Sequence, residues 1–331
     1  MPTNNVDWYF IIDQIHQKKC TPVISNQIII ESLFSDDSLM PAWADSINYP
    51  LTDQYNLTRI AQFLSVTQQD PVRAKSNYLH FLKRSLLNLA QQNSEANQNF
   101  LSLVRNELRS LTFSQLATER LYLPNFKEEL DHPLSILAAL DVPIYLTTSH
   151  HTFIEAALRA VGKTPRTEVY AWQEGMEDNL PAEFKTNLNF DPEVQTPLVY
   201  HWHGLDAYPD SLVLTEDDHL EFLVNVTQDL QEPGVIPSSV RNALSSSLLL
   251  LLGYDLHAWD LRVMLQGLIK GKPRRPRSFA IQIIPESQAS IKSLEHFQEY
   301  LHKYFGQVRF DVYWGDVQSF MQTLWAEWEA G

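Results

Sequence analysis

The chain has 331 residues, 44% of them hydrophobic and 20% charged, which suits one or two globular units and excludes a disordered or fibrous chain. Its 25 basic and 40 acidic side chains leave a net charge of -15, which repels phosphate backbones and argues against nucleic acid as a main partner. Cys20 is the single cysteine, so an internal disulfide and a CxxC zinc site are both excluded. The longest aliphatic run, Leu248 to Leu252, is far short of the roughly 20 residues of a membrane span. The N-terminus has neither a basic start nor an apolar stretch, and the expectation is a cytoplasmic protein with no membrane partner.

Helical spacing of Trp8, Ile11, Ile12 and Ile15 predicts a helix over Val6 to Lys19. The β-branched run Pro22 to Ile30, broken by Ser25, Asn26 and Gln27, reads as a strand entering a turn. Residues 51 to 130 are rich in Leu, Gln and Asn and lack glycine. Tyr78, Phe81, Leu82, Leu86 and Leu89 keep helical period there, as do Phe100, Leu103, Val104 and Leu108, so this stretch reads as a helical subdomain.

Beyond Pro133 the pattern alternates. Strands are predicted at 143–148, 197–202, 247–252, 278–284 and 308–313. Helices are predicted at 153–161, 216–226, 257–269, 291–305 and 317–328. Gly162 closes the first of these helices and Thr215 caps the second. Alternation of this kind predicts an α/β fold: a Rossmann-like, doubly wound parallel sheet of about six strands. It would span 1–50 and 131–331, with 51–130 as an inserted helical subdomain. Ligands on such sheets bind outside the carboxyl ends of the strands, here 24–27, 147–151, 200–204 and 253–255.

Those ends carry a resemblance. Leu146-Thr147-Thr148-Ser149-His150-His151 stands where the sirtuin-like NAD-binding family, in its bacterial defence-associated branch, has a TTNYD-type motif. Tyr200-His201-Trp202-His203-Gly204 stands at that family's LHG position. Ser211 to Asp218 is similar to its slvlTeeD segment, and Leu252-Gly253-Tyr254-Asp255 through Arg262 to its lGYSlsDwdlR motif. The resemblance covers most of the chain, and the order of the last two motifs makes it specific. It implies NAD as ligand or substrate, cleavage of the bond between nicotinamide and ribose, and a role in antiphage defence or signalling.

Carried over residue by residue, the resemblance makes His203 the general base and puts Ser149 in place of the family asparagine. It assigns nucleotide binding to Ser25, Asn26, Gln27, Thr147, Thr148, His151, Gly204, Gly253, Tyr254 and Asp255. An imidazole that titrates near neutral pH suits the first role. The chain also departs from the family. Ser25, Asn26 and Gln27 replace a glycine-rich turn whose bare amides reach diphosphate. His151 replaces an aspartate.

These departures keep open a second function, a catalytically degenerate pseudoenzyme acting as an interaction or sensor module. A homo-oligomer or a protein partner is expected in either case. A rival reading of the imidazoles is a zinc site built from His201, His203, His150 or His151 with Asp255, the first two expected on one strand face. No zinc is expected under the main reading. The basic run Lys272 to Arg277 reads as a solvated loop.

Overall fold

The computed structural model describes residues 6–34, 39–93, 107–232, 234–254, 269, 276–281 and 293–330. Among them, seven strands form one parallel sheet: β1 (Cys20–Ile24), β2 (Ile144–Thr147), β3 (Arg166–Val169), β4 (Leu198–His201), β5 (Leu248–Leu252), β6 (Ser278–Ile281) and β7 (Phe310–Tyr313). Their order is β3-β4-β2-β1-β5-β6-β7, with every pairing parallel. The sheet is thus Rossmann-like, as the alternation predicts. The seventh strand is β3, which the sequence reading missed. Its Arg-Thr-Glu-Val run is short and polar because it lies at the sheet edge.

Both faces of the sheet are covered, and period-two packing shows it. Leu248, Leu250 and Leu252 enter one core, whereas Leu249 and Leu251 enter the other. Phe279 and Ile281 likewise part from Ala280. A strand apolar on both faces is what a parallel sheet between helical layers requires.

The first core holds α1 (Trp8–His16), α7 (Pro133–Ala139), α8 (Phe153–Ala160) and α13 (Val317–Ala330). It is continuous with α4 (Leu57–Gln68) and α5 (Pro71–Asn93). The second holds α10 (Glu216–Asp229), α11 (Ser238–Ser246) and α12 (Leu294–Gly306). The remaining helices are α2 (Asn26–Leu33), α3 (Leu39–Ser46), the short α6 (Phe113–Gln115) and α9 (Met176–Asn179).

Helices α4 and α5 lie between β1 and β2 in the chain and grip the start of α10. Three consecutive acids there face them. Glu216 accepts from Arg59 at 3.2 Å, Asp217 from Gln62 at 2.7 Å, and Asp218 from Lys75 at 3.1 Å. The last pair is buried. Thr215 and Asp218 also form a reciprocal capping box.

The strand ends at Ile24, where the break at Ser25, Asn26 and Gln27 predicts, but a helix, α2, begins at Asn26 in place of the expected turn. The β-branched Ile28 to Ile30 belong to a helix, since tertiary packing of Ile28 against the end of β5 overrides propensity. The predicted helix at 257–269, apart from Ile269, and the helical run at Phe100, Leu103 and Val104 fall outside the described residues, as do Lys272 to Arg275. Arg277, at the end of that basic run, pairs with Asp311. No helix among the described residues is long and apolar enough to cross a membrane.

Candidate functional site

Register puts the predicted strand ends in one row. Ile24 stands opposite Thr147 on one side and Leu252 on the other, and Thr147 stands opposite His201. The chain winds outward from β1 to β2 on one side, then crosses back to β5 on the other. The topological switch point therefore lies between β1 and β5, where such sheets bind ligands.

At the switch point the two loops touch. The Ser25 hydroxyl donates to the Gly253 carbonyl at 2.5 Å, and the Ser25 amide to Leu252 at 3.2 Å. Ser25 is the N-cap residue of α2, yet its side chain makes no cap bond, so its oxygen is spent on β5. Gly253 has φ +69°, and a Cβ there would run into the Ile28 side chain and Ser25. Only glycine suits both the conformation and the space.

The β2 loop is drawn to the same place. Thr147 Oγ1 donates to the Ile24 carbonyl at 2.9 Å and accepts from the Ser149 amide at 2.8 Å. Thr148 Oγ1 lies 3.3 Å from the Tyr254 hydroxyl, and Ser149 Oγ lies 3.4 Å from Asn26 Oδ1. Ser25, Asn26, Thr147, Thr148, Ser149, Gly253 and Tyr254 are therefore one contiguous cluster. Ser149 and His151 are fully buried and His203 is 1% exposed. Asp255 lies outside the described residues.

The histidines part company. His201 Nδ1 is 2.9 Å from the Ser149 carbonyl and Nε2 is 2.9 Å from Glu155 Oε1, all fully buried. The ring is thereby held between a carbonyl and a carboxylate. Thr167 Oγ1 adds a bond to the same Glu155 oxygen at 2.9 Å. The His203 ring instead packs at 4.9 Å on Phe222, in the other core, and at 5.3 Å on His219. The expectation that both rings share a face is corrected here: β4 ends at His201, and the bend leading to Gly204 (φ +82°) breaks the alternation. The space over Gly204 is taken by the backbone of Ser211. Among the described residues no group of three or more His, Cys, Asp or Glu side chains could hold a metal ion.

His151 leads to a second joint. Its amide donates to Ser149 Oγ at 3.2 Å, and its Nδ1 is 3.4 Å from Asp206 Oδ2. The same carboxylate oxygen accepts from the Ser114 amide and hydroxyl, each at 2.7 Å. Ser114 Oγ then accepts from the Thr152 amide at 2.9 Å.

Sequence reading missed Glu155, Asp206 and Ser114. The available signal was a carboxylate on the apolar face of α8: Glu155 is as buried as its neighbours Phe153 and Leu158. An acid in that position demands a polar partner.

A parallel sheet with polar loops gathered at its switch point defines the class of doubly wound, Rossmann-like α/β proteins. Within that class, the family model described as SIR2-like domain matches residues 143–307, which supports a sirtuin-like family for this part of the chain. The family is generally NAD-dependent. No curated protein matches the chain.

Proposed function

We propose that the chain binds NAD or a related nucleotide at the carboxyl ends of β1, β2 and β5, and that it hydrolyses NAD to ADP-ribose and nicotinamide. The observation that carries this reading is the start of α2. The helix opens one residue after β1, beside the switch point, and its N-cap hydroxyl is committed to Gly253. A helix start without a side-chain cap presents amides and a positive dipole end to a diphosphate.

Ser25, Asn26 and Gln27 would hold the diphosphate, with Gly253 and Tyr254 beside them. Ser149, fixed by Thr147 and by His201, would meet the ribose in place of the family asparagine. Thr148 and His151 hold this loop, and Gly204 sets the turn after β4. His203 would take the proton from a ribose hydroxyl or the attacking water. NAD supplies the bond between ribose and a good leaving group. Because Ser149 and His203 are buried, the β2 loop opens on binding. Residues 51–130 would act as an inserted helical subdomain that closes over the first core face of the body formed by 1–50 and 131–331.

The second reading is a pseudoenzyme, an interaction or sensor module with a homo-oligomeric or protein partner. It is favoured by the Ile28 side chain, which fills the face of Gly253 that a diphosphate would approach. A bacterial defence role goes with either reading.

Chromatography of NAD incubated with the pure protein, beside His203→Ala, separates them. Loss of NAD to ADP-ribose and nicotinamide in the parent alone supports the enzyme. NAD should also stabilise the fold by about 2.7 kcal/mol at a hundredfold excess over the dissociation constant. Intact NAD together with an unmoved melting temperature would sink both hydrolysis and binding.

A further inference from the structure

A cavity of about 270 Å³ lies between α5, the turn at 109–113 and the loop at 206–209. In a chain of net charge -15 its wall gathers three basic side chains: His80, Lys83 and Arg109. Lys83 Nζ donates to the Leu108 carbonyl at 2.8 Å and the Leu111 carbonyl at 3.0 Å. It thereby pins the turn carrying Arg109 onto α5, and one of its three protons is left over.

Crowding these bases has a cost. Burial and the neighbouring charges of Lys83, Arg84 and Arg109 hold His80 below the usual imidazole range, and burial lowers Lys83 against the raising effect of Asp206. Two cations, Lys83 and Arg109, therefore share this wall with one acid, Asp206, a set that can take an anion beside a hydroxyl.

Asp206 adds the second half. It is buried and lines the same cavity. Its Oδ2 is taken by Ser114 and His151, whereas its buried Oδ1 has no hydrogen-bond partner. A buried carboxylate oxygen without a donor is costly, and a ligand hydroxyl would satisfy it once the wall that now closes Oδ1 off from the cavity shifts. An anion alone would leave it unsatisfied.

We propose that this cavity binds a small phosphate monoester that carries hydroxyl groups, of the pentose phosphate kind, with the phosphate on Lys83 and Arg109 and a sugar hydroxyl on Asp206. The volume lies just under the roughly 300–1,000 Å³ of pockets for drug-sized ligands, which suits one phosphorylated sugar and not a dinucleotide. The proposal places no ligand on Ser149, His203 or the α2 start, although Asp206 touches His151 and so is shared with the β2 loop.

Isothermal titration of the full chain with ribose 5-phosphate, inorganic phosphate and ribose tests it. Ribose 5-phosphate should bind best, phosphate more weakly and ribose not measurably. Arg109 is exposed, so Arg109→Gln leaves the fold intact and should weaken ribose 5-phosphate about tenfold, the worth of one charge-assisted bond. Asp206→Asn should erase the preference for ribose 5-phosphate over phosphate. Equal binding of phosphate and ribose 5-phosphate would remove the role of Asp206 and with it the sugar. No heat from ribose 5-phosphate at millimolar concentration, or full affinity in Arg109→Gln, overturns the proposal.

Discussion

Two buried carboxylates, Glu155 and Asp206, organise the loop that carries Ser149 and His151, each through an imidazole. Glu155 accepts from His201, which also faces the Ser149 carbonyl. Replacing Glu155 by Gln keeps the volume and removes the charge, so His201 Nε2 loses its carboxylate partner. We expect a loss of about 1–3 kcal/mol, read by urea unfolding, and a weaker response to NAD because the Ser149 carbonyl loses its anchor. His132 gives a pH effect at the same scale. Its Nδ1 accepts from the Leu134 amide at the start of α7, and burial holds it below the usual imidazole range despite Glu129 and Asp131. The folded state therefore favours the neutral ring. Its contribution is complete above the unfolded value of about 6.5 and is lost as pH falls from there toward the lower folded value. The melting temperature of His132→Asn, which keeps a capping acceptor, should fall less than that of the parent between neutral and mildly acid pH.

At the scale of elements, two contacts hold the pieces. The end of β5 and the start of α2 are closed by Ser25 and Gly253. In Gly253→Ala the new methyl meets Ile28 and Ser25 at a left-handed backbone position. A cost of about 1–3 kcal/mol is expected, with loss of any thermal shift by NAD. Helix α5 is tied to α10 by Lys75, whose ammonium bonds Asp218 at 3.1 Å and lies 5.3 Å from the Trp172 ring centre. Lys75→Met leaves Asp218 buried without its cation and should cost about 3 kcal/mol in chemical denaturation. An unchanged midpoint would mean that the capping bonds of Asp218 alone carry it. Thr215 as a cap and Gly162 as a helix stop were legible in the sequence, because caps are local chemistry. The switch from strand to helix at Ser25 was not. Ile28 to Ile30 have strand propensity, and only the neighbouring β5 end makes a helix the better packing there.

For the whole molecule, the sheet divides two cores, and Leu250 stands in the middle of one of them at 1% exposure. Leu250→Ala should cost about 2–5 kcal/mol by the cavity it leaves, seen as a lower urea midpoint with an unchanged slope. The alternation of strand and helix that predicts this architecture is visible as runs of apolar residues, since a central parallel strand must be apolar on both faces. Edge strand β3 escaped because an edge needs no such run. It carries Glu168 buried beside Arg166 at 2.6 Å, which reads as polar loop in one dimension.

By itself the sequence determined the class of fold, the helical stretch between β1 and β2, and the strand ends where polar residues gather. Those features depend on periodicity and on local turn chemistry, which a linear chain displays. The tertiary structure decided which groups meet. Register aligned Ile24, Thr147, His201 and Leu252 in one row. The bend after β4 sent His201 to Glu155 and His203 to Phe222. Asp206 came to rest between His151, Ser114 and a basic cavity. These pairings join residues about 20 or more positions apart, and their partners are chosen by the crossing of helices over the sheet, a geometry that no local pattern encodes.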